Sequence, residues 1–127
     1  MIAVKANAYG HGMLPFAQAA IEGGASALAV LEVPAGLALR EAGVEVPLFA
    51  WLHGAETDFA AAIAADIELG VSSLAELHRI LDAVTTTPAA VHLKVDTGLH
   101  RNGASPEDWP ALVSLSLIHI SAPTRPY

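Results

Sequence analysis

The chain contains no cysteine. Disulfides, thiolate metal sites and cysteine nucleophiles are therefore excluded, although this absence does not fix a compartment. Positive charge is also scarce. Six lysines and arginines stand against 13 acidic residues, giving a net charge of −7, and no two basic residues are adjacent. Binding to nucleic acid or to an anionic membrane surface needs a basic patch, so neither partner is expected. Long hydrophobic runs are missing too. The longest, Phe59 to Ala65, falls far short of the ~20 residues that span a bilayer. No charged leader precedes Ile2-Ala3-Val4-Lys5, so no secretory signal is read and a cytoplasmic location is expected. There is no G-x-S-x-G, no Walker loop, no G-x-G-x-x-G and no closely spaced histidine pair. No nucleotide loop or metal site is expected from such a sequence.

What is present is apolar. Hydrophobic residues make up 54% of the chain and charged residues only 15%. Alanine, valine and leucine dominate, as in parallel α/β architectures whose strands are covered on more than one face. Strands are expected at Ile2 to Lys5, Ala27 to Leu31, Leu48 to Trp51, Ile67 to Val71 and Val91 to Asp96. Helices are expected at Leu14 to Glu22, Pro34 to Ala42 and Thr57 to Ala65, with Gly23-Gly24 and Gly43 as stops. One more helix follows Ser73, which pairs with Glu76 as a capping box. Leu74, Leu77, Leu81 and Val84 give that helix one apolar face.

Strand and helix alternate with short connections, so the sheet should be parallel with right-handed crossovers. A doubly wound sheet and a (β/α)8 barrel both fit. The spacing of about 25 residues per unit is the barrel rhythm, and a full barrel takes about 250 residues. The expected fold class is therefore α/β, a partial (β/α)8 TIM barrel of about its first half.

Two segments carry chemistry. The first is Val4-Lys5-Ala6-Asn7-Ala8-Tyr9-Gly10-His11-Gly12. Lys5 ends an apolar strand, where a desolvated amine becomes a usable nucleophile. Taken alone, a lysine at a strand end is more often a surface residue reaching water. At the carboxyl end of a barrel strand the balance shifts, because such ends carry the chemistry. Tyr9 can hydrogen-bond a phosphate held at the next helix N-terminus. An amine, a phenol and a glycine turn together suggest covalent capture of a phosphorylated carbonyl cofactor. The second segment is Lys94-Val95-Asp96-Thr97-Gly98-Leu99-His100-Arg101-Asn102-Gly103. His92, Lys94 and Asp96 alternate onto one strand face. Lys94 facing a barrel interior is costly unless paired or modified, and a carbamate would turn it from cation to anion. Arg101 can donate a fork of hydrogen bonds to a phenolate or carboxylate. The bland reading is two solvated cations at a strand end.

Together these segments resemble the alanine racemase family, fold-type III enzymes dependent on pyridoxal 5'-phosphate. Ala27 to Gly43, ending Leu39-Arg40-Glu41-Ala42-Gly43, also looks like the family. The resemblance covers residues 1 to 113 and implies specific roles. Lys5 would hold the cofactor covalently and act as one of two catalytic bases. Tyr9 would bind the cofactor phosphate. Arg101 would contact the cofactor's phenolic oxygen and lie near the substrate carboxylate. Lys94 would be the lysine that many members carry as a carbamate, orienting Arg101. Leu99 stands where a methionine is usual, and Asn102 where an aliphatic residue is usual.

By the same resemblance the parent enzyme would be a homodimer interconverting L- and D-alanine, with a second base, a tyrosine, supplied by the partner subunit. The family's opening segment, later strands and C-terminal β domain have no counterpart here, so the chain alone is expected to be inactive. A non-catalytic pyridoxal-phosphate carrier and a racemase for serine or another amino acid stay open, as does a spurious reading frame. Residues 114–127 do not resemble the family. Their Ser-Leu alternation from Ser114 to Ile120 reads as strand-like. They are similar to the translated sequencing-adaptor tails of fragmentary reading frames.

Overall fold

The computed structural model describes residues 1–119. Five strands form one parallel sheet in the order β1-β2-β3-β4-β5. They are β1 (Ile2–Ala3), β2 (Leu28–Val30), β3 (Leu48–Ala50), β4 (Ile67–Val71) and β5 (Val91–Leu93). Helices α2 (Met13–Glu22), α3 (Val33–Glu41), α4 (Phe59–Ala64) and α5 (Leu74–Ala83) fill the crossovers, and α6 (Trp109–His119) comes after β5. Each strand pairs with the next in sequence, with no reversal of order. A doubly wound sheet needs such a reversal. Parallel crossovers of one hand without it put every helix on the same side. Helices α3 to α6 accordingly touch their neighbours in succession. This is the arrangement of a partial (β/α)8 barrel.

Alternation along the strands separates the two faces of the sheet. Leu28, Val30, Leu48, Ala50, Ile67, Leu69 and Val71 are buried under the helices. Gly36 of α3 sits so close that an added Cβ would meet Ile67 at 2.9 Å. The other face carries Phe49, Glu68, His92 and Lys94, all partly exposed. There His92 Nε2 meets Glu68 Oε2 at 2.5 Å, and its ring lies 4.6 Å from that of Phe49.

The local signals explain the elements. Ser73 caps α5 by accepting from the Glu76 N–H, and the Glu76 carboxylate accepts from the Ser72 N–H, one residue before the N-cap, a variant of the capping box. The centre of the α5 stripe is Leu77 and Ile80, both fully buried, with Leu74, Leu81 and Val84 at its margins. Burying each of those two side chains stabilises the fold by about 1.5–3 kcal/mol. Helix α4 starts two residues later than expected because Asp58, not Thr57, is its cap and accepts from Ala61 N–H. Strand β5 ends at Leu93 rather than Asp96, because the Asp96 carboxylate turns to bind its own loop.

One sequence expectation is corrected outright. The Ser-Leu alternation belongs to α6, which is helical to His119; residues 120–127 lie outside the described part of the chain. Leu112 is fully buried, Leu115 packs against the core and Ser116 Oγ donates to the Val113 carbonyl. Those spacings are helical, and a short period-two run cannot by itself exclude a helix.

Candidate active site

Lys5 follows β1, which among the described residues is an edge strand paired with β2. Its neighbour Val4 is buried beneath the helices, so Lys5 falls on the other face and is exposed. The expected desolvation is absent, because no described residue beyond β1 covers the amine. Its Nζ lies 6.0 Å from the centre of the Tyr9 ring and makes no hydrogen bond or ion pair among the described residues. A cavity of about 190 Å³ opens beside it, lined by Lys5, Asn7, Met13, Leu31, Glu32 and Ala35 among others.

The backbone after Lys5 is unusual. Ala6, Asn7, Ala8 and Tyr9 have φ of 48°, 51°, 52° and 53°, one turn of left-handed helix labelled α1 (Ala6–Tyr9). Each non-glycine residue in that region costs roughly 1–2 kcal/mol. The turn is held by Ala8 N–H on the Lys5 carbonyl and by Gly10 and Gly12 N–H on the Asn7 carbonyl. Asn7 Oδ1 accepts from Met13 N–H at 2.7 Å, capping α2 from outside. Sequence reading assigned Asn7 no role; its signal was an asparagine six residues before a helix with no capping side chain of its own. Strain of this kind collects where a site must be held in one geometry. Here it presents Lys5 and the largely exposed Tyr9 together at the carboxyl end of β1.

At the other edge, residues 94–104 form a closed loop. Asp96 N–H donates to the Ala104 carbonyl and Ala104 N–H to the Lys94 carbonyl. Gly103, at φ +108°, fits that closure alone: a Cβ would stand 2.7 Å from Asp96 N. Asp96 accepts from the N–H groups of Gly98 and His100 and from His100 Nδ1. Those backbone donors hold its pKa below the ordinary carboxylate value. Leu99 and Arg101 are presented exposed on the loop.

Lys94 lies across β4, over Gly70, and its Nζ donates to the Trp51 carbonyl at 2.5 Å. Burial, chiefly, and the nearby Arg101 lower its pKa, against an opposing effect of Glu76. The two cations repel, and no hydrogen bond joins Lys94 to Arg101. Nor does any described contact join the Lys5–Tyr9 pair to Arg101. The structure thus brings the predicted residues to one end of the sheet in two separate groups. An uncommitted primary amine beside a phenol and an open cavity is a donor set that fits an aldehyde cofactor bearing a phosphate. No group of three or more metal-ligating side chains occurs among the described residues, and no described helix is long and apolar enough to cross a membrane.

The family model described as "Alanine racemase, N-terminal domain" matches residues 1–119. The chain belongs to the alanine racemase family. The alanine racemase of Mycolicibacterium smegmatis is 50% identical over 117 residues, covering 91% of this chain and 30% of that protein. That of Frankia casuarinae is 51% identical over 114 residues, covering 88% and 30%. Among solved structures, alanine racemase from D-cycloserine-producing Streptomyces lavendulae superposes with a TM-score of 0.91 at 39% identity, over 94% of this chain and 32% of that one. A histidine racemase from Leuconostoc mesenteroides superposes at 0.84 with 29% identity, over 94% and 33%. The chain spans about 30% of the length of these curated alanine racemases.

Proposed function

We propose that residues 1–113 supply the pyridoxal-phosphate-binding part of a cytoplasmic alanine racemase, active as a homodimer, that makes D-alanine for the cell wall. The observation that carries this reading is the free amine of Lys5, presented with Tyr9 by a strained turn at the carboxyl end of β1. Bound there, pyridoxal phosphate supplies an electron sink for the negative charge left when a proton leaves Cα. The chain's own residues do the rest. Lys5 Nζ holds the cofactor and moves the Cα proton on one face of the substrate. Tyr9 donates its phenol to the phosphate. Arg101 donates to the cofactor's phenolic oxygen and orients the substrate carboxylate. Lys94, as a carbamate, would accept from Arg101 and hold it in place. The lowered pKa of Lys94 supports this, since only the neutral amine attacks carbon dioxide.

Borohydride reduction of the chain with pyridoxal phosphate, followed by peptide mapping, tests the central residue. The label should fall on Lys5 and vanish in Lys5→Ala; labelling elsewhere moves the assignment. The 127-residue chain alone should show no alanine racemisation, because the tyrosine that the resemblance implies as second base has no counterpart among these residues; measurable turnover would refute that. The histidine racemase likeness keeps a second substrate in view. Assaying the whole protein against alanine, serine and histidine separates them.

A further inference from the structure

The loop between β3 and α4 carries an imidazole that the fold does not explain. Both ring nitrogens of His53 are buried and, among the described residues, neither makes a hydrogen bond of full geometry. A neutral imidazole always carries one N–H, so one buried donor lacks a well-formed bond. Such orphans are rare in native structures and ask for a reason. The ring is held firmly. It stands edge-on to Phe59 at 5.1 Å, and the Arg79 guanidinium covers the Phe59 ring at 4.9 Å. Arg79 also donates to the carbonyls of Gly54 and Ala55, fixing the loop from α5.

Lys94 arrives at the same place from β5. Its Nζ is bonded to the carbonyl of Trp51, two residues before His53. Its stem occupies the space that a side chain on Gly70 would fill, with Cδ 3.3 Å from the position of a Cβ there. The Gly70 backbone also acts on the ring as a weak acceptor that raises the His53 pKa, but it falls short of full hydrogen-bond geometry. The charged groups that act on His53 are Glu76, Lys94 and Arg79; those that act on Lys94 are Glu76 and Arg101. An ammonium has three donors and no acceptor, so Lys94 in that form cannot answer the His53 N–H. Burial lowers the pKa of both residues and so favours the neutral forms.

We propose that His53 is a positioning residue for a carbamate on Lys94, its ring N–H donating to a carbamate oxygen across Gly70. This rests on the Lys94 carbamate proposed above. The step balances without any further reagent than dissolved carbon dioxide. The neutral Nζ attacks its carbon, the N–C bond forms, one C–O π pair moves onto oxygen and a proton leaves nitrogen for solvent. A cation that repels Arg101 becomes an anion that attracts it. The same change gives His53 the acceptor it lacks.

The test uses the full chain equilibrated with carbon-13 bicarbonate, reading the carbamate carbon by NMR. Lys94→Met defines the background. His53→Phe, which keeps a ring against Phe59, should weaken the apparent affinity for carbon dioxide about tenfold, the size of one hydrogen bond to a charged group. His53→Gln, which keeps an N–H donor, should restore most of it. Amide spectra report whether each variant is folded. A second reading needs no variant of His53: its imidazole pKa should rise when carbon dioxide is added to the wild-type chain, and not in Lys94→Met. A Lys94-dependent carbamate left unchanged by His53→Phe, or an unmoved His53 titration, overturns the proposal and leaves the carbamate standing. Absence of any Lys94-dependent carbamate overturns both.

Discussion

The two ends of the strands are built on opposite terms. At the amino end, Arg40 uses four of its five N–H donors. Its guanidinium donates to the carbonyls of Val44, Val46, Ala65 and Asp66, tying the entrances of β3 and β4 to the end of α3. At the carboxyl end several polar groups are left uncommitted. Lys5 and Arg101 are exposed, the His53 nitrogens make no well-formed hydrogen bond among the described residues, and four residues are held left-handed. One end uses its cation to close the fold. The other spends conformational energy beside Lys5 and leaves that amine exposed. That is the division a βα architecture predicts, with stability at one end and chemistry at the other.

The largest effect on this contrast should come from removing Arg40. Arg40→Met should cost about 2–3 kcal/mol, since it leaves four carbonyls without a charged donor. Thermal unfolding should show the midpoint falling by roughly 10 °C. Labelling of Lys5 by pyridoxal phosphate should persist wherever the variant remains folded. Loss of labelling in a folded Arg40→Met chain would mean that the two ends are not separate.

That division was only half legible in the sequence. Strands and helices were readable because their signals are local: Gly43 after α3, Ser73 with Glu76 at α5, alternation in β5. Arg40 gave no such signal, since its acceptors lie up to 26 residues away and are backbone atoms. His53 was equally silent, because an orphaned nitrogen is a property of packing and not of spacing. The motif around Lys5 was readable as letters, yet its left-handed turn was not. Ala6 and Ala8 have no preference for positive φ, and the bonds that hold it, from Ala8 to Lys5, from His11 to Ala8 and from Gly10, Gly12 and Met13 to Asn7, leave no mark in the sequence. Ser114 to Ile120 misled for the opposite reason. Its alternation was clear, but burial of Leu112 and Ser116 selects the helical spacing.

A smaller effect tests the carboxyl end from within. Gly103→Ala puts a Cβ 2.7 Å from Asp96 N at a φ that side chains rarely adopt. The expected cost is about 1–3 kcal/mol, concentrated in the loop rather than the core. Hydrogen exchange should therefore speed up at Asp96 and Ala104 and stay unchanged at Leu69 and Val71. Uniform loosening would show that this loop is part of the folding unit, and the contrast between the two ends would weaken.

The smallest effect is a titration. The Asp96 pKa is depressed below its ordinary 3.8 by bonds from the Gly98 and His100 N–H groups. A depressed carboxylate contributes its stability above the unfolded value and loses it as pH falls through the folded one. The loop should thus hold its shape down to about pH 4 and open below that, while Arg40, with no carboxylate partner among its four acceptors, keeps the amino end closed. Amide shifts of Gly98 and His100 should move together in that acid range. Asp96→Asn keeps an acceptor oxygen but removes the titration, so those shifts should become flat with pH. If they still move in Asp96→Asn, the acid response comes from elsewhere, and the loop that presents Arg101 is not set by this carboxylate.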